Sequence, residues 1–195
     1  TNENGQTLQG RFASLIKDTR FFDVLSGYFY SSGFKAIYPS LENTEKIRIL
    51  VGISTDYKTY AAVKSAKELA SSEVESIYSS AVKNELEHSE DSINTEESVQ
   101  KFKEWLQSGR IEIKAFPDEK IHSKLYIMTF DPKDRDKGRV ITGSSNFTES
   151  GLRGNIEFNV ELKNRSDYDY ALERFEELWD QGVDVSEQYI QTIDH

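Results

Sequence analysis

Four short runs between residues 110 and 162 constrain the fold of this chain most: RIEIKAF (110–116), IHSKLYIMTF (121–130), GRVITGSSN (138–146) and NIEFNVEL (155–162). Each alternates apolar with polar residues or is rich in β-branched and aromatic ones, the pattern of a strand. The connections are short, and one of them, DPKDRDKG, is a charged turn with Pro and Gly. Consecutive strands this close together pair with one another or lie side by side. Upstream, FFDVLSGYFY (21–30) and KIRILVG (46–52) also read as strands. Helical patterns stand around them: an amphipathic helix over 7–18, a short one in SSGFKAIYPSL, and a long helical region over 57–108 broken by the polar HSEDSINTEES. DYDYALERFEELWDQG forms another, with Phe175, Leu178 and Trp179 at core spacing, and DVSEQYIQTI a last short one. Gly109 is a natural C-terminal stop for the long helical region. Strands interspersed with helices predict an α/β fold with a mixed β-sheet flanked by helices. At 195 residues the whole chain, 1–195, is expected to be a single domain.

Several classes fall away on composition. The chain has no cysteine, hence no disulfide and no thiolate metal site, which fits a cytoplasmic setting. No run approaches the roughly 18 apolar residues of a membrane span, and no basic or amphipathic membrane anchor is evident. No signal-peptide pattern opens the chain, and a start at Thr1 fits a piece of a longer protein. The net charge of −10 is unevenly placed. Residues 111–155 carry 8 Lys and Arg against 7 Asp and Glu, and the remainder carries 16 against 27. The acid therefore sits away from the late strands.

Those late strands hold polar pairs at i, i+2 spacing: His122 with Lys124, Ser144 with Asn146 just after Gly143, and Glu157 with Asn159. On a strand that spacing puts both members on one face. Buried polar groups need partners. If the strands are neighbours, six polar side chains converge at one end of the sheet, where they can partner one another and a bound anion. The residue types suit a phosphodiester. A neutral imidazole can attack phosphorus and form a covalent intermediate. An ammonium with amide and hydroxyl donors can stabilise charge on the phosphoryl oxygens. Gly143 leaves room for close backbone approach, and a carboxylate such as Glu157 can fix which imidazole nitrogen attacks. The scheme needs no metal or other cofactor, and no evident His/Asp cluster offers to hold a metal.

HSK, followed by GSSNF after a turn and then NIEFN, resembles the HxK…GSxxN signature of the phospholipase D superfamily. GYFYSSGF and KIRILVG look like its nuclease-type branch, whose domains often precede helicase motors or belong to restriction enzymes. The tail ERFEELWDQGVDVSEQYIQTI looks like the end of a helicase-associated module. The resemblance extends over about residues 10–190. It implies a metal-independent phosphodiesterase, with DNA favoured over lipid as substrate. It implies catalytic roles for His122, Lys124, Asn146 and Glu157, and substrate contacts from Gly143, Ser144, Ser145 and Asn159. Family members use two such motifs across one site. The other histidines here, His88 and His195, have no Lys two positions on. The implied solution is a two-fold homodimer in which each subunit contributes His122. The longer family signature has Asp five residues after the Lys, where this chain has Thr129, with Asp131 two further on. Tyr28 and Ser32 are further candidates for substrate contact. Two other functions compete: a non-catalytic nucleic-acid-binding or dimerisation module of a larger motor protein, and a hydrolase of phospholipids or other small phosphodiesters.

Overall fold

The computed structural model describes residues 4–27, 31–52, 93–116, 121, 123–148, 150–187 and 190. Residues 57–92 of the helical region expected over 57–108, the aromatics Tyr28 to Tyr30, and all three histidines lie outside the described residues. The described elements run α1 (Leu8–Ile16), β1 (Thr19–Ser26), α2 (Ser31–Ile37), β2 (Lys46–Gly52), α3 (Ile93–Gln107), β3 (Ile111–Phe116), β4 (Lys124–Phe130), β5 (Gly138–Gly143), β6 (Asn159–Leu162), α4 (Arg165–Gln181) and β7 (Val183–Asp184). A 3₁₀ turn at Tyr38–Leu41 and a single π-helical turn at Ser150–Gly154 complete them.

Seven strands form one sheet in the order β6-β5-β4-β1-β2-β3-β7. The central trio β1, β2 and β3 is parallel, and β4, β5, β6 and β7 join antiparallel. This is the mixed sheet flanked by helices that the strand and helix patterns predict. Parallel neighbours require a crossover between them. The crossover from β1 to β2 contains α2, and α3 leads into β3.

Alternation along the strands divides the core between the two faces. Phe22, Val24, Ile47, Ile49, Ile111, Ile113, Tyr126, Met128 and Ile141 pack on one face, under Leu8, Phe12 and Ile16 of α1, Phe34 and Ile37 of α2, and Phe102, Trp105 and Leu106 of α3. The i, i+4, i+8 spacing of the three α1 residues is what turns one stripe of that helix inward. Phe12, Phe22, Tyr126 and Phe147 meet with ring centroids 4.9–6.5 Å apart, edge-on or tilted except for the nearly parallel Phe22–Tyr126 pair. Burying each such side chain contributes about 2–3 kcal/mol. The opposite face is covered by Tyr168, Ala171, Phe175 and Trp179 of α4, packed on Leu25, Leu50, Ile127 and Val140. Leu178 lies at the margin of that cluster, so the stripe expected from Phe175, Leu178 and Trp179 is present.

The face under α4 also buries an ion network. Arg48 donates twice to Asp23, at 2.6 and 3.0 Å, and twice to Glu176, at 3.0 and 2.7 Å. Its guanidinium lies over the Phe175 and Trp179 rings. Asp23 is almost wholly buried, and burial pushes its carboxyl up while Arg48 draws it back down.

Three local expectations change. α3 begins at Ile93, inside the stretch expected to be a polar break, and ends where expected: Gly109 takes φ +72° and its N–H donates to the Leu106 carbonyl at 3.0 Å. Residues 183–184, expected at or before the start of a last helix, instead pair with β3 as β7. β6 covers only the second half of NIEFNVEL, and β5 stops at Gly143.

Candidate active site

The late strands bring three positions into one row. Lys124 is paired with Gly143, and Gly143 with Asn159. Two residues further along β4, Tyr126 enters the α1-side core. Two residues further along β6, Glu161 meets Arg11 of α1 with oxygens at 2.7 Å. The period of two therefore places Lys124 and Asn159 on the α1 face of the sheet. Gly143 stands between them because nothing else fits: a β-carbon there would lie 2.1 Å from the Phe158 carbonyl oxygen and 2.5 Å from Asn159 Oδ1.

β1 completes the row. Its register with β4 ends with Leu25 opposite Leu125, so Ser26 follows beside Lys124. Ser26 is fully buried. Its hydroxyl accepts from the Phe147 N–H at 3.0 Å and donates to Asn146 Oδ1 at 3.3 Å. The next residue, Gly27, packs between two candidate side chains: a β-carbon there would be 3.4 Å from Asn146 Oδ1 and 3.9 Å from Lys124 Nζ. Gly52 at the end of β2 faces the Ile121 carbonyl in the same way, at 3.2 Å. The cluster thus stands outside the carboxyl ends of the parallel strands, where open α/β sheets place their ligands.

The loop after β5 is held by its own polar residues. Ser145 is buried; its hydroxyl accepts from Asn159 Nδ2 at 2.8 Å and its N–H donates to Asn159 Oδ1 at 3.4 Å. Its carbonyl accepts from the Tyr126 hydroxyl at 2.6 Å. Burial pushes that phenol far up, opposed by a hydrogen bond with Ser26, so Tyr126 is a neutral donor. Ser144 turns outward and donates to Glu157, while accepting from the Phe158 N–H at 3.0 Å. Asn155 adds a 3.4 Å bond to the same carboxylate.

The eight expected residues therefore divide. Lys124, Gly143, Ser145, Asn146 and Asn159 meet at one end of the sheet. Ser144 and Glu157 form a pair on the exposed side of the same loop. His122 lies outside the described residues, between the placed Ile121 and Ser123. The expectation that Ser144 and Asn146 share one face of a strand is corrected: both follow the end of β5, in a loop that turns over to bury Ser145 and Phe147. Glu157 likewise precedes β6. Ser26, Gly27 and Tyr126 were not expected at the site. The signal for the first two was a small polar residue and a glycine closing an apolar strand, in VLSG. Among the described residues no group of three or more His, Cys, Asp or Glu is placed to hold a metal ion.

Thr129, where the longer signature has Asp, is five residues from Lys124, about 17 Å along a strand. Its hydroxyl bonds the Tyr168 hydroxyl of α4 at 2.7 Å. Asp131 caps the following turn through the Lys133 N–H at 2.9 Å. The departure is thus remote from the cluster.

The mixed sheet flanked by helices is the fold of a phospholipase D-like domain. The chain belongs to that family: the family model described as "Cardiolipin synthase, PLD-like domain" matches residues 15–179. Its fold is similar to that of Nuc, a phospholipase D family member from Salmonella typhimurium, at 16% identity over 90% of this chain and 89% of that one, with a TM-score of 0.50. NucT from Helicobacter pylori aligns at 11% identity over 91% of this chain and 90% of that one, with a TM-score of 0.49. Among curated proteins none matches. No helix among the described residues is long and apolar enough to cross a membrane.

Proposed function

We propose that the chain is a metal-independent phosphodiesterase acting on DNA, one phospholipase D-like domain whose site is completed in a homodimer. The observation that carries this is the meeting of Lys124 and Asn146 around Gly27 at the carboxyl ends of the parallel strands, in a member of this family. His122, two residues before Lys124, is the nucleophile. Its neutral imidazole attacks phosphorus, a phosphorus–oxygen bond breaks, and the leaving oxygen takes a proton from the imidazolium of the partner subunit's His122. Water then attacks the phosphohistidine, returning its proton to that second imidazole and releasing the phosphomonoester. Lys124 and the amide of Asn146 stabilise charge on the phosphoryl oxygens. The Ser145–Asn159 and Tyr126–Ser145 bonds hold the loop that positions Asn146. Glu157 orients an imidazole, and Ser144 holds Glu157. The scheme uses no cofactor.

The choice of DNA over lipid rests on the nuclease-type resemblance and on the absence of a basic membrane-binding segment in the sequence. A chain of net charge −10 needs help to hold a polyanion. A helicase-type motor joined to this domain would supply that basic surface in the cytoplasm.

The test is hydrolysis of a chromogenic phosphodiester in excess EDTA by the chain and by His122→Ala. Activity that survives EDTA and disappears in the variant is expected. With one imidazole neutral and one protonated, the rate should be bell-shaped in pH, and a rate still rising through about pH 9 would contradict the two-histidine scheme. A folded, dimeric chain with no activity would instead favour the binding-module reading.

A further inference from the structure

Among the described residues β6 is the outer strand of the sheet, with β5 as its one strand neighbour. Four large hydrophobic side chains stand exposed among the described residues, and three of them occur in this one segment: Ile156 at 82%, Phe158 at 71% and Val160 at 39%. They alternate with Glu157 and Asn159, which turn to Ser144 and Ser145 of the candidate site. Ile156 and Phe158 stand in the run that leads into β6 and Val160 stands in β6 itself, and an apolar strip beside an exposed sheet edge is an association hazard that natural sheets ordinarily blunt with charge. Here the glutamates fall on the alternate positions, and the strip itself is apolar and exposed among the described residues.

The chemistry of the strip selects its occupant. Residues 155–162 contain two glutamates and no lysine or arginine. A surface for nucleic acid or anionic lipid would carry cations. The strip is also self-complementary. Apolar residues stand two positions either side of Phe158, so a two-fold axis through Phe158 sets Ile156 of one copy against Val160 of the other. This is the isologous pattern of a cyclic dimer, with an aromatic anchor at its centre. The same axis brings the two copies of Glu157 and Asn159 side by side, next to a site whose chain carries a single HxK motif.

We propose that Ile156, Phe158 and Val160 form the apolar centre of the contact with a second copy of this chain. The proposal rests on the reading of the site as one half of a two-fold centre, and adds which surface joins the halves. It is tested by sedimentation equilibrium of the full chain, of Phe158→Asp and of a control, Tyr170→Asp, whose exposed ring lies on α4. Circular dichroism monitors folding. A wild-type dimer is expected, with its dissociation constant raised at least about 100-fold in Phe158→Asp and unchanged in the control.

Because the chain has no cysteine, Phe158→Cys gives a second readout if the aspartate variant misfolds. It should form a disulfide-linked dimer on oxidation at dilute concentration, and Tyr170→Cys should not. A monomeric wild type, or a Phe158→Asp dimer as tight as wild type, overturns the proposal. So does equal crosslinking of the two cysteine variants. If Phe158→Asp stays dimeric while hydrolysis still depends on His122, the surface is wrong and the phosphodiesterase reading stands. If Phe158→Asp is monomeric while the wild-type dimer has no hydrolytic activity, the surface is right and the phosphodiesterase reading fails.

Discussion

Two polar clusters occupy the same sheet, and they differ in how they are satisfied. Under α4, Arg48 is closed in by two carboxylates and two aromatic rings. Four of the five N–H donors of that guanidinium are turned to carboxylate acceptors, and Asp23 lies almost wholly buried beneath the helix. At the carboxyl ends of the parallel strands the principal described groups are one ammonium with neutral amides and hydroxyls. The first arrangement neutralises its own charge. The second groups a cation with neutral amides and hydroxyls at one end of the sheet. Removing one partner of a buried ion pair is costly to a fold; a cation with amide donors is the kind of grouping that can stabilise phosphoryl oxygens.

The contrast can be broken by exchanging which property a substitution damages. Arg48→Ala leaves Asp23 buried without its cation, and should cost about 3–5 kcal/mol in denaturant unfolding. The kcat of the fraction that remains folded should change little. Lys124→Ala should do the reverse: on the order of 10²–10³-fold lower kcat/KM for a phosphodiester, with an unfolding midpoint close to that of the native chain. If Lys124→Ala unfolds the protein, or Arg48→Ala spares stability, the division of roles is wrong. Gly143→Ala lies between the two. Its methyl would meet the Phe158 carbonyl and the Asn159 amide, so β5 and β6 must separate, at roughly 1–3 kcal/mol, with a fall in activity as Asn159 and Ser145 shift.

The smallest effect belongs to the rim. The hydrogen bond from Arg11 is the main reason the Glu161 carboxyl lies below its ordinary 4.5, against a smaller effect of burial. A depressed carboxylate stabilises the fold above its unfolded value and loses that contribution as pH falls through the folded one. Thermal unfolding followed below about pH 4.5 should therefore show part of the decline disappearing in Glu161→Gln.

Much of the frame was legible. The strict alternation of Ile111, Ile113 and Ala115, the stripe on α4 and the stop at Gly109 are patterns set by burial or by backbone geometry, and they show at single-residue resolution. The site was legible in membership more than in arrangement. Period-two reasoning carried the strands through Ser144–Asn146 and Asn155–Phe158, where a backbone bond from the Ser144 N–H to the Phe158 carbonyl is joined by side-chain bonds from Ser144 and Asn159. Ser26 looked like the end of an ordinary apolar strand, because its role comes from Asn146 and Phe147, some 120 residues away. β7 is two residues long and leaves no periodicity to detect. The start of α3 at Ile93 was hidden by polar residues that read as a break.

The most direct measurement is the mass of the peptide spanning Ile121–Lys124 after rapid neutral quench of a turnover mixture. A phosphodiester-derived adduct on His122 that forms and decays at the turnover rate, in the presence of EDTA, is the expected result. Turnover of the same substrate with no adduct on that peptide, or undiminished turnover by His122→Ala, would contradict the assignment of His122 as the nucleophile.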